Sequence, residues 1–377
     1  RPPWYHAPEV PPAMKALLLR RLCRLDQEPQ PLDLAEVPDP IPGPGDVLVR
    51  VSACGVCHTE LDEIEGRTPP PSLPVIPGHQ VVGHVVQCGP RPTALRPGAR
   101  VGIGWIYSAC GRCAYCRRGF ENLCPAFRAT GRDAHGGYAE LIVVRQEFAF
   151  PIPESPMTDA EVAPMLCAGA IGYRSLRLAN LPDGGRLGLT GFGSSAHLVL
   201  KLVRHRDPNA AVFVFARSEA ERAFARELGA AWAGDTADTP PEPLDAIIDT
   251  TPVWTPVVRG LRHLAPGGRL VINAIRKEDT DRAVLAELDY PSHLWLEREI
   301  KSVANVTRRD VTEFLHAAVA IGLRPEIQEY PLEDANQALR ALRDRAVRGA
   351  KVLRLDRGAG RADGQDLVGA TRRRGPV

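Results

Sequence analysis

The sequence predicts a mixed α/β protein in which a compact β domain precedes a doubly wound parallel sheet. Two patterns carry that prediction, and the change between them near residue 160 separates the parts. From Met14 onward, short β-rich runs recur between Pro and Gly breaks: "KALLL", "DVLVRV", "VVGHVV", "ARVGIG" and "YAELIVV". The second pattern alternates strand and helix. "RLGLT" leads into a glycine turn, "HLVLKLVRH" carries an apolar helical stripe, "AVFVF" is strand-like, and "EAERAFARELGA" reads as a helix closing on Gly229. Two further strands, "LDAIIDT" and "GGRLVINA", each follow a turn or helix, so roughly 140 residues read as parallel strands covered by helices. After them the helix "DVTEFLHAAVA" and the segment "EDANQALRALRD" lead to a last strand, "AKVLRL". The beginning, "RPPWYHAPEVPPAM", is a proline-rich extension, and the Gly- and Arg-rich tail 358–377 lacks periodicity and predicts disorder.

Composition narrows the function. The 377 residues are 44% hydrophobic and 24% charged, an ordinary globular balance. Forty-seven basic against forty-five acidic side chains leave a net charge of +2, which points away from nucleic acid or an anionic membrane as partner and towards a small molecule. No apolar run is long enough to span a bilayer and the start lacks the apolar core of a signal peptide, so a cytoplasmic protein is expected. Nine cysteines, an odd number, fit metal ligation in a reducing compartment better than disulfides.

Cysteine spacing supplies the strongest motif. "CGRCAYCRRGFENLC" sets Cys110, Cys113, Cys116 and Cys124 close enough for one short lobe to close a tetrahedral ion, the pattern of a structural zinc site. An iron-sulfur run begins the same way but continues with a shorter last gap, and a nucleic-acid zinc ribbon fits poorly with the neutral charge balance. A dispersed trio, Cys57 in "GVCHTE", His79 in "IPGHQVVG" and Cys167 in "APMLCAGAIGYRSL", is weak residue by residue. Together, two cysteines and a histidine form the donor set of a catalytic zinc with one position left open. Cys54, Cys57 and His58 also spell the C-x-x-C-H of haem attachment, an alternative the missing export signal weakens. Finally, "RLGLTGFGSSAHL" places Gly191-x-Gly193-x-x-Ala196 between a strand and a helix, as a dinucleotide fingerprint requires. Gly191 permits the tight turn, Gly193 lets backbone approach a pyrophosphate, and Ala196 stands for the third glycine in helix–sheet packing.

In order and spacing, "CGVCHTE", "PGHQVVGHV", "CGRCAYCRRGFENLC", "GGYAELIVV", "APMLCAGAIGYRSL" and "TGFGSSAHL" resemble the zinc-dependent alcohol dehydrogenases of the medium-chain dehydrogenase/reductase superfamily, over about residues 14–355. The resemblance implies a GroES-like catalytic domain at 14–167 with a return at 306–357, and a Rossmann cofactor domain at 168–305. It implies reversible hydride transfer between a primary alcohol or aldehyde and a nicotinamide cofactor, in a homo-oligomer (dimer or tetramer). Cys57, His79 and Cys167 would hold the catalytic zinc, and Cys110, Cys113, Cys116 and Cys124 the structural one. Thr59 would hydrogen-bond the substrate oxygen, His58 would lie near the cofactor pyrophosphate, and Glu60 would back the ligands.

Several positions depart from the family pattern. Gln80 replaces the usual Glu after the zinc histidine, and Ala350 takes the place of an arginine near the last strand; losing both members of a pair avoids an unpaired charge. Asp62 stands where a relay histidine is common, so it either ends the proton path or is a solvated surface acid. Trp105 would line the substrate pocket. Ile64, in place of a second tryptophan of some relatives, would leave room for substrates larger than ethanol. At the end of the second cofactor-domain strand, Ala216 replaces the acid that reads a ribose 2′-hydroxyl, and Arg217, Ser218 and Arg222 follow. NADP is therefore expected over NAD. The alternative is a catalytically weak or inactive nicotinamide-binding regulator of the same fold, which Gln80 and Asp62 would suit.

Overall fold

A computed structural model describes residues 13–91, 93–344 and 349–355; most of the N-terminal extension and the whole tail 358–377 lie outside the described residues. Strands β1 (Ala13–Leu19) and β2 (Leu32–Pro38) pair antiparallel. β3 (Asp46–Val56) runs directly into α1 (His58–Ile64). There follow β4 (Val81–Cys88), β5 (Arg100–Ile103), β6 (Ile106–Ser108), the short α2 (Ala114–Arg117), β7 (Arg128–Ala129), β8 (Leu141–Arg145), β9 (Phe150–Pro151) and α3 (Asp159–Val162). Helix α4 (Ala168–Ala179) opens the alternating part: β10 (Arg186–Thr190), α5 (Ser194–Arg206), β11 (Ala211–Phe215), α6 (Glu219–Glu227), β12 (Trp232–Gly234), β13 (Leu244–Asp249), α7 (Thr255–His263), β14 (Leu264–Ile272), α8 (Tyr290–His293) and β15 (Glu299–Ser302). The described chain ends with α9 (Arg308–Ala320), β16 (Ile327–Pro331), α10 (Ala335–Arg343) and β17 (Ala350–Arg354).

Two large sheets result. The first has the order β16-β17-β3-β4-β5-β9, with β8 also on β3, so the last described strands complete the sheet begun by β3. The second, β12-β11-β10-β13-β14-β15, is parallel throughout. Its strands read as continuous apolar runs because both faces are covered. Val212 and Val214 with Ala246 and Ile248 join one core beneath α5, whereas Phe213 and Phe215 with Ile247 join another against Val257 and Leu261 of α7. Strand order reverses between β10 and β13, which opens a crevice at their carboxyl ends, where such sheets bind ligands.

The sheets are tied together through α4. Gly169, two residues past Cys167, lies against Phe314 of α9; a Cβ there would approach the ring to 2.1 Å. Only glycine permits that contact, which fixes the start of α4 and with it Cys167.

Candidate active site

Three separate elements bring the dispersed trio together. Cys57 leaves β3 in an extended conformation and caps α1, and its N–H donates to Glu60 Oε2 at 2.8 Å. His79 follows Gly78, whose φ of +97° and contact with Tyr138 exclude any other residue. Cys167 sits between the turn Ala163–Leu166 and α4. One donor atom from each of the three lies within 4.8 Å of the others.

Charge and hydrogen bonding prepare this trio for a cation. His79 Nδ1 contacts Glu60 Oε1 at 2.5 Å, and both side chains are buried. His79 Nε2 is sealed from solvent without a hydrogen-bond partner. A buried imidazole nitrogen so exposed to nothing is costly unless something fills the gap between it and the two sulfurs. Hydrogen bonding from Cys167 pulls the Cys57 thiol well below its ordinary pKa; burial opposes this and His79 assists. The same hydrogen bond, with burial, pushes Cys167 well up. Two cysteines and a histidine with an unpartnered nitrogen form a donor set that fits zinc.

The second cluster is self-contained. The sulfurs of Cys110, Cys113, Cys116 and Cys124 lie within 4.8 Å of one another in the lobe between β6 and β7. Backbone N–H groups point at them: Cys113 N donates to Cys110 Sγ, Cys116 N to Cys113 Sγ, and Cys110 N to Cys124 Sγ, each at 3.4 Å. Backbone hydrogen bonds bring the Cys110 thiol down to about 6, while burial and sharing with its neighbours push Cys116 up to about 12. Cys54 belongs to neither cluster. It is buried against Gly78 and Gly137, and the haem reading falls with it.

At the crevice, Gly191 has φ +78° and its N–H donates to Phe215 O, making the turn out of β10. Gly193 caps α5, and a Cβ there would meet nothing within 4 Å. Ala196 is fully buried under the sheet. Ala216 is buried beyond β11, and Arg217 is exposed; among the described residues its side chain makes no hydrogen bond or ion pair. Ser218 Oγ accepts the Glu221 N–H, leaving its own proton to donate.

Comparison with known proteins decides the family. The alcohol dehydrogenase GroES-like domain matches residues 43–154, and the zinc-binding dehydrogenase domain matches residues 228–353. The probable alcohol dehydrogenase AdhA of Mycobacterium tuberculosis is 44% identical over 352 residues, covering 92% of this chain and 99% of that protein. The chain is a zinc-dependent alcohol dehydrogenase of the medium-chain superfamily. An alcohol dehydrogenase of a Moraxella species is 32% identical, covering 86% of this chain and 96% of its own length. Cinnamyl alcohol dehydrogenase of Sorghum bicolor superposes with a TM-score of 0.76 at 26% identity, covering 91% of this chain and 98% of that one. This alcohol dehydrogenase is accordingly an oxidoreductase that uses a nicotinamide cofactor, and no observation favours the inactive alternative.

Several expectations change around the site of this dehydrogenase. Ile64 is fully buried in the catalytic-domain core, so it opens no space for substrate and the argument for larger alcohols from that position fails. Trp105 is half-buried with its ring centroid 6.5 Å from that of His79, so it does border the trio. Thr59 Oγ1 lies 3.6 Å from Cys57 Sγ, and His58 is exposed on the first turn of α1. Asp62 is no solvated acid. It is 6% exposed, and its Oδ1 accepts from both Arg67 Nε at 2.5 Å and Arg276 Nη2 at 2.9 Å. Arg222 is engaged as well: Glu219, Asp235 and the carbonyls of Ala216 and Arg217 hold its guanidinium, so it braces the loop rather than awaiting a phosphate.

Gln80 lies against Gly55 of β3, where a Cβ would come within 2.5 Å of its Oε1. Gly55 faces Val352 in β17, which puts Ala350 on the same face and Lys351 on the other. Lys351 is nonetheless 1% exposed, and burial lowers its pKa. A basic side chain therefore remains buried in this strand, on the face away from Gln80.

Three buried or cleft-spanning polar features near the site escaped the sequence reading. Arg276 is the first. The second is the buried pair at the crevice mouth, Asp249 at the end of β13 and Lys277, whose Nζ also donates to the carbonyls of Thr251 (2.8 Å) and Val253 (2.9 Å). The acid ending "LDAIID" was a visible signal for it. The third is Glu63, buried on α1 with Oε1 unpartnered and its pKa pushed well up by burial.

Proposed function

We propose that this alcohol dehydrogenase prefers NADP over NAD, carries one catalytic and one structural zinc per chain, and acts on primary alcohols or aldehydes as a homo-oligomer. Cys57, His79 and Cys167 would hold the catalytic ion, and Cys110, Cys113, Cys116 and Cys124 the structural ion. Bound to the trio, zinc supplies a Lewis acid that makes a substrate hydroxyl easier to deprotonate. Thr59, beside Cys57, is placed to hydrogen-bond that hydroxyl and carry its proton outward. Glu60 keeps the His79 N–H on Nδ1 and its lone pair on Nε2. Gly191, Gly193 and Ala196 leave the mouth of the crevice clear, so that a pyrophosphate can meet the amino end of α5. His58, exposed at the start of α1, is suited to the same group.

One observation carries the cofactor choice: where an acid would read the ribose 2′-hydroxyl stands Ala216, and the next side chain is an unengaged Arg217. Ser218 retains a donor proton beside it. A charge-assisted contact to a 2′-phosphate contributes about 1.5–3 kcal/mol, roughly tenfold to a hundredfold in preference. The test compares kcat/KM for NADPH and NADH in the parent and in Arg217→Ala at fixed ionic strength. A parent that favours NADH, or a ratio untouched by the substitution, refutes the reading.

Assembly is supported by β15, which pairs on one side with β14 and is exposed along its length. Tyr290, Trp295, Leu296 and Ile300 are exposed around that edge. An open strand edge with apolar neighbours suits pairing with a second copy. Ile300→Lys should lower the mass measured by light scattering; an unchanged mass would move the interface elsewhere. Four clustered thiols also suit a reducing, cytoplasmic setting.

A further inference from the structure

Asp62 and Arg276 meet across the cleft between the two large sheets. Asp62 lies one turn after His58 on α1, on the same helical face, and α1 also carries Thr59 and Glu60 behind its cap Cys57. Arg276 belongs to the segment that leaves β14 at the carboxyl end of the parallel sheet. The contact Arg276 Nη2 to Asp62 Oδ1, 2.9 Å, therefore joins residues 214 apart in sequence and the metal-holding helix to the cofactor crevice.

The mount of Arg276 is rigid on both sides. Asn273 N donates to Asp249 O at 2.8 Å, Glu278 N donates to Pro252 O at 2.7 Å, and Lys277 is held by Asp249 and two carbonyls between them. Asn273 Nδ2 also reaches Ser195 Oγ at 3.4 Å, and that hydroxyl donates to Ala168 O, next to Cys167. On the opposite side, Arg67 Nε holds the same Asp62 oxygen and fixes the carboxylate on its own helix. A displacement of the crevice rim is thus passed to α1 through one carboxylate, in a place where a small misplacement of reacting atoms is expensive.

We propose that the Asp62–Arg276 ion pair is a clasp between the two domains that sets the registration of α1 against the nicotinamide end of the crevice. Both members are positioning residues for hydride transfer; neither handles the substrate proton.

The experiment uses Arg276→Ala, Asp62→Asn, their combination, Arg67→Ala as an intradomain control, and Arg276→Lys as a conservative rescue. Zinc content is measured for each, with kcat, alcohol KM and the primary deuterium isotope effect on kcat. The clasp predicts that Arg276→Ala and Asp62→Asn each lower kcat at least tenfold and raise the isotope effect, with alcohol KM within threefold and zinc as in the parent. It predicts that the double variant is within twofold of the worse single one, that Arg67→Ala costs less than threefold, and that Arg276→Lys recovers most of kcat. Losses that multiply in the double variant overturn it, as does an isotope effect that does not rise, an Arg67→Ala enzyme as impaired as Arg276→Ala, or a kcat loss matched by lost zinc.

Discussion

Replacing Glu60 by Gln isolates the hydrogen bonds behind the catalytic trio while barely changing volume. The carboxylate is fully buried, with Oε1 on His79 Nδ1 at 2.5 Å and Oε2 on the Cys57 N–H at 2.8 Å. Both oxygens act as acceptors, which suits two N–H groups facing them. Glutamine offers one oxygen and one NH2. If its oxygen faces His79, its NH2 meets the Cys57 N–H, donor against donor, at a cost of about 1–3 kcal/mol in a buried site. If it turns over, the NH2 needs a lone pair on His79 Nδ1, so the imidazole proton moves to Nε2 and blocks the nitrogen that faces Cys57 and Cys167. Either way the expected loss is about tenfold to a hundredfold in zinc affinity at this site, or about 1.4–2.7 kcal/mol. Dialysis against graded chelator, with zinc per chain measured at each step, reads the effect directly, and the ion of the four-cysteine lobe is an internal reference. If Glu60→Gln keeps its more labile zinc to the same chelator concentration as the parent, the tautomer argument is wrong.

Other outcomes follow from the same geometry. Gly193→Ala should melt like the parent, since its Cβ meets nothing within 4 Å, yet bind the nicotinamide cofactor at least about tenfold more weakly in a fluorescence titration if, as proposed, a pyrophosphate approaches the backbone there. Gly191→Ala should instead lose about 1–3 kcal/mol of stability in denaturant titrations, as its φ is +78° and its Cβ would lie 2.8 Å from Thr250 Oγ1. Cys113→Ser should cost one zinc per chain and lower the melting temperature by about 5 °C or more while KM is unchanged, since metal-binding energy in that lobe is folding energy. His135 is exposed at the surface, but its ring, whose Nδ1 accepts the Ile76 N–H at 3.2 Å, loses enough hydration for its pKa to be lowered. The unfolded chain then takes up the proton first as pH falls, so this contribution to stability is present above about pH 6.5 and is lost below it. Urea titrations from pH 7 to 5 should show a shallower decline in His135→Gln than in the parent.

How far the sequence could be read depended on whether a group's partners lay nearby in the chain. The clustering of the four cysteines was legible because they all fall within fifteen residues, and the crevice because strand, glycine turn and helix are consecutive. Cys167 gained meaning only in the company of Cys57 and His79, since an apolar run hides a ligand well. The solvated-surface reading of Asp62 failed because its partner Arg276 is 214 residues away, and no local pattern reports an ion pair of that span. Arg222 could have been anticipated: Glu219 lies three residues before it, an ordinary helical ion pair. Ile64 illustrates the limit of matching positions between relatives, because its spacing from Leu61 already suited a buried helical face. The edge strand β15 left no apolar alternation at all, its residues being exposed along their whole length.

The pairing of β17 with β3 has a consequence for synthesis. Lys351 lies opposite Val56, the residue before Cys57, so the strand leading into Cys57 is completed by residues made long after it. The parallel sheet is contiguous in the chain and can close while translation continues, whereas β3 must wait with an open flank. A product that stops short of Ala350 would carry the trio's cysteines and histidine but expose the flank beside Cys57, a surface that invites strand pairing with other chains. Ordering of the strand that leads into Cys57 is thereby tied to the arrival of β17.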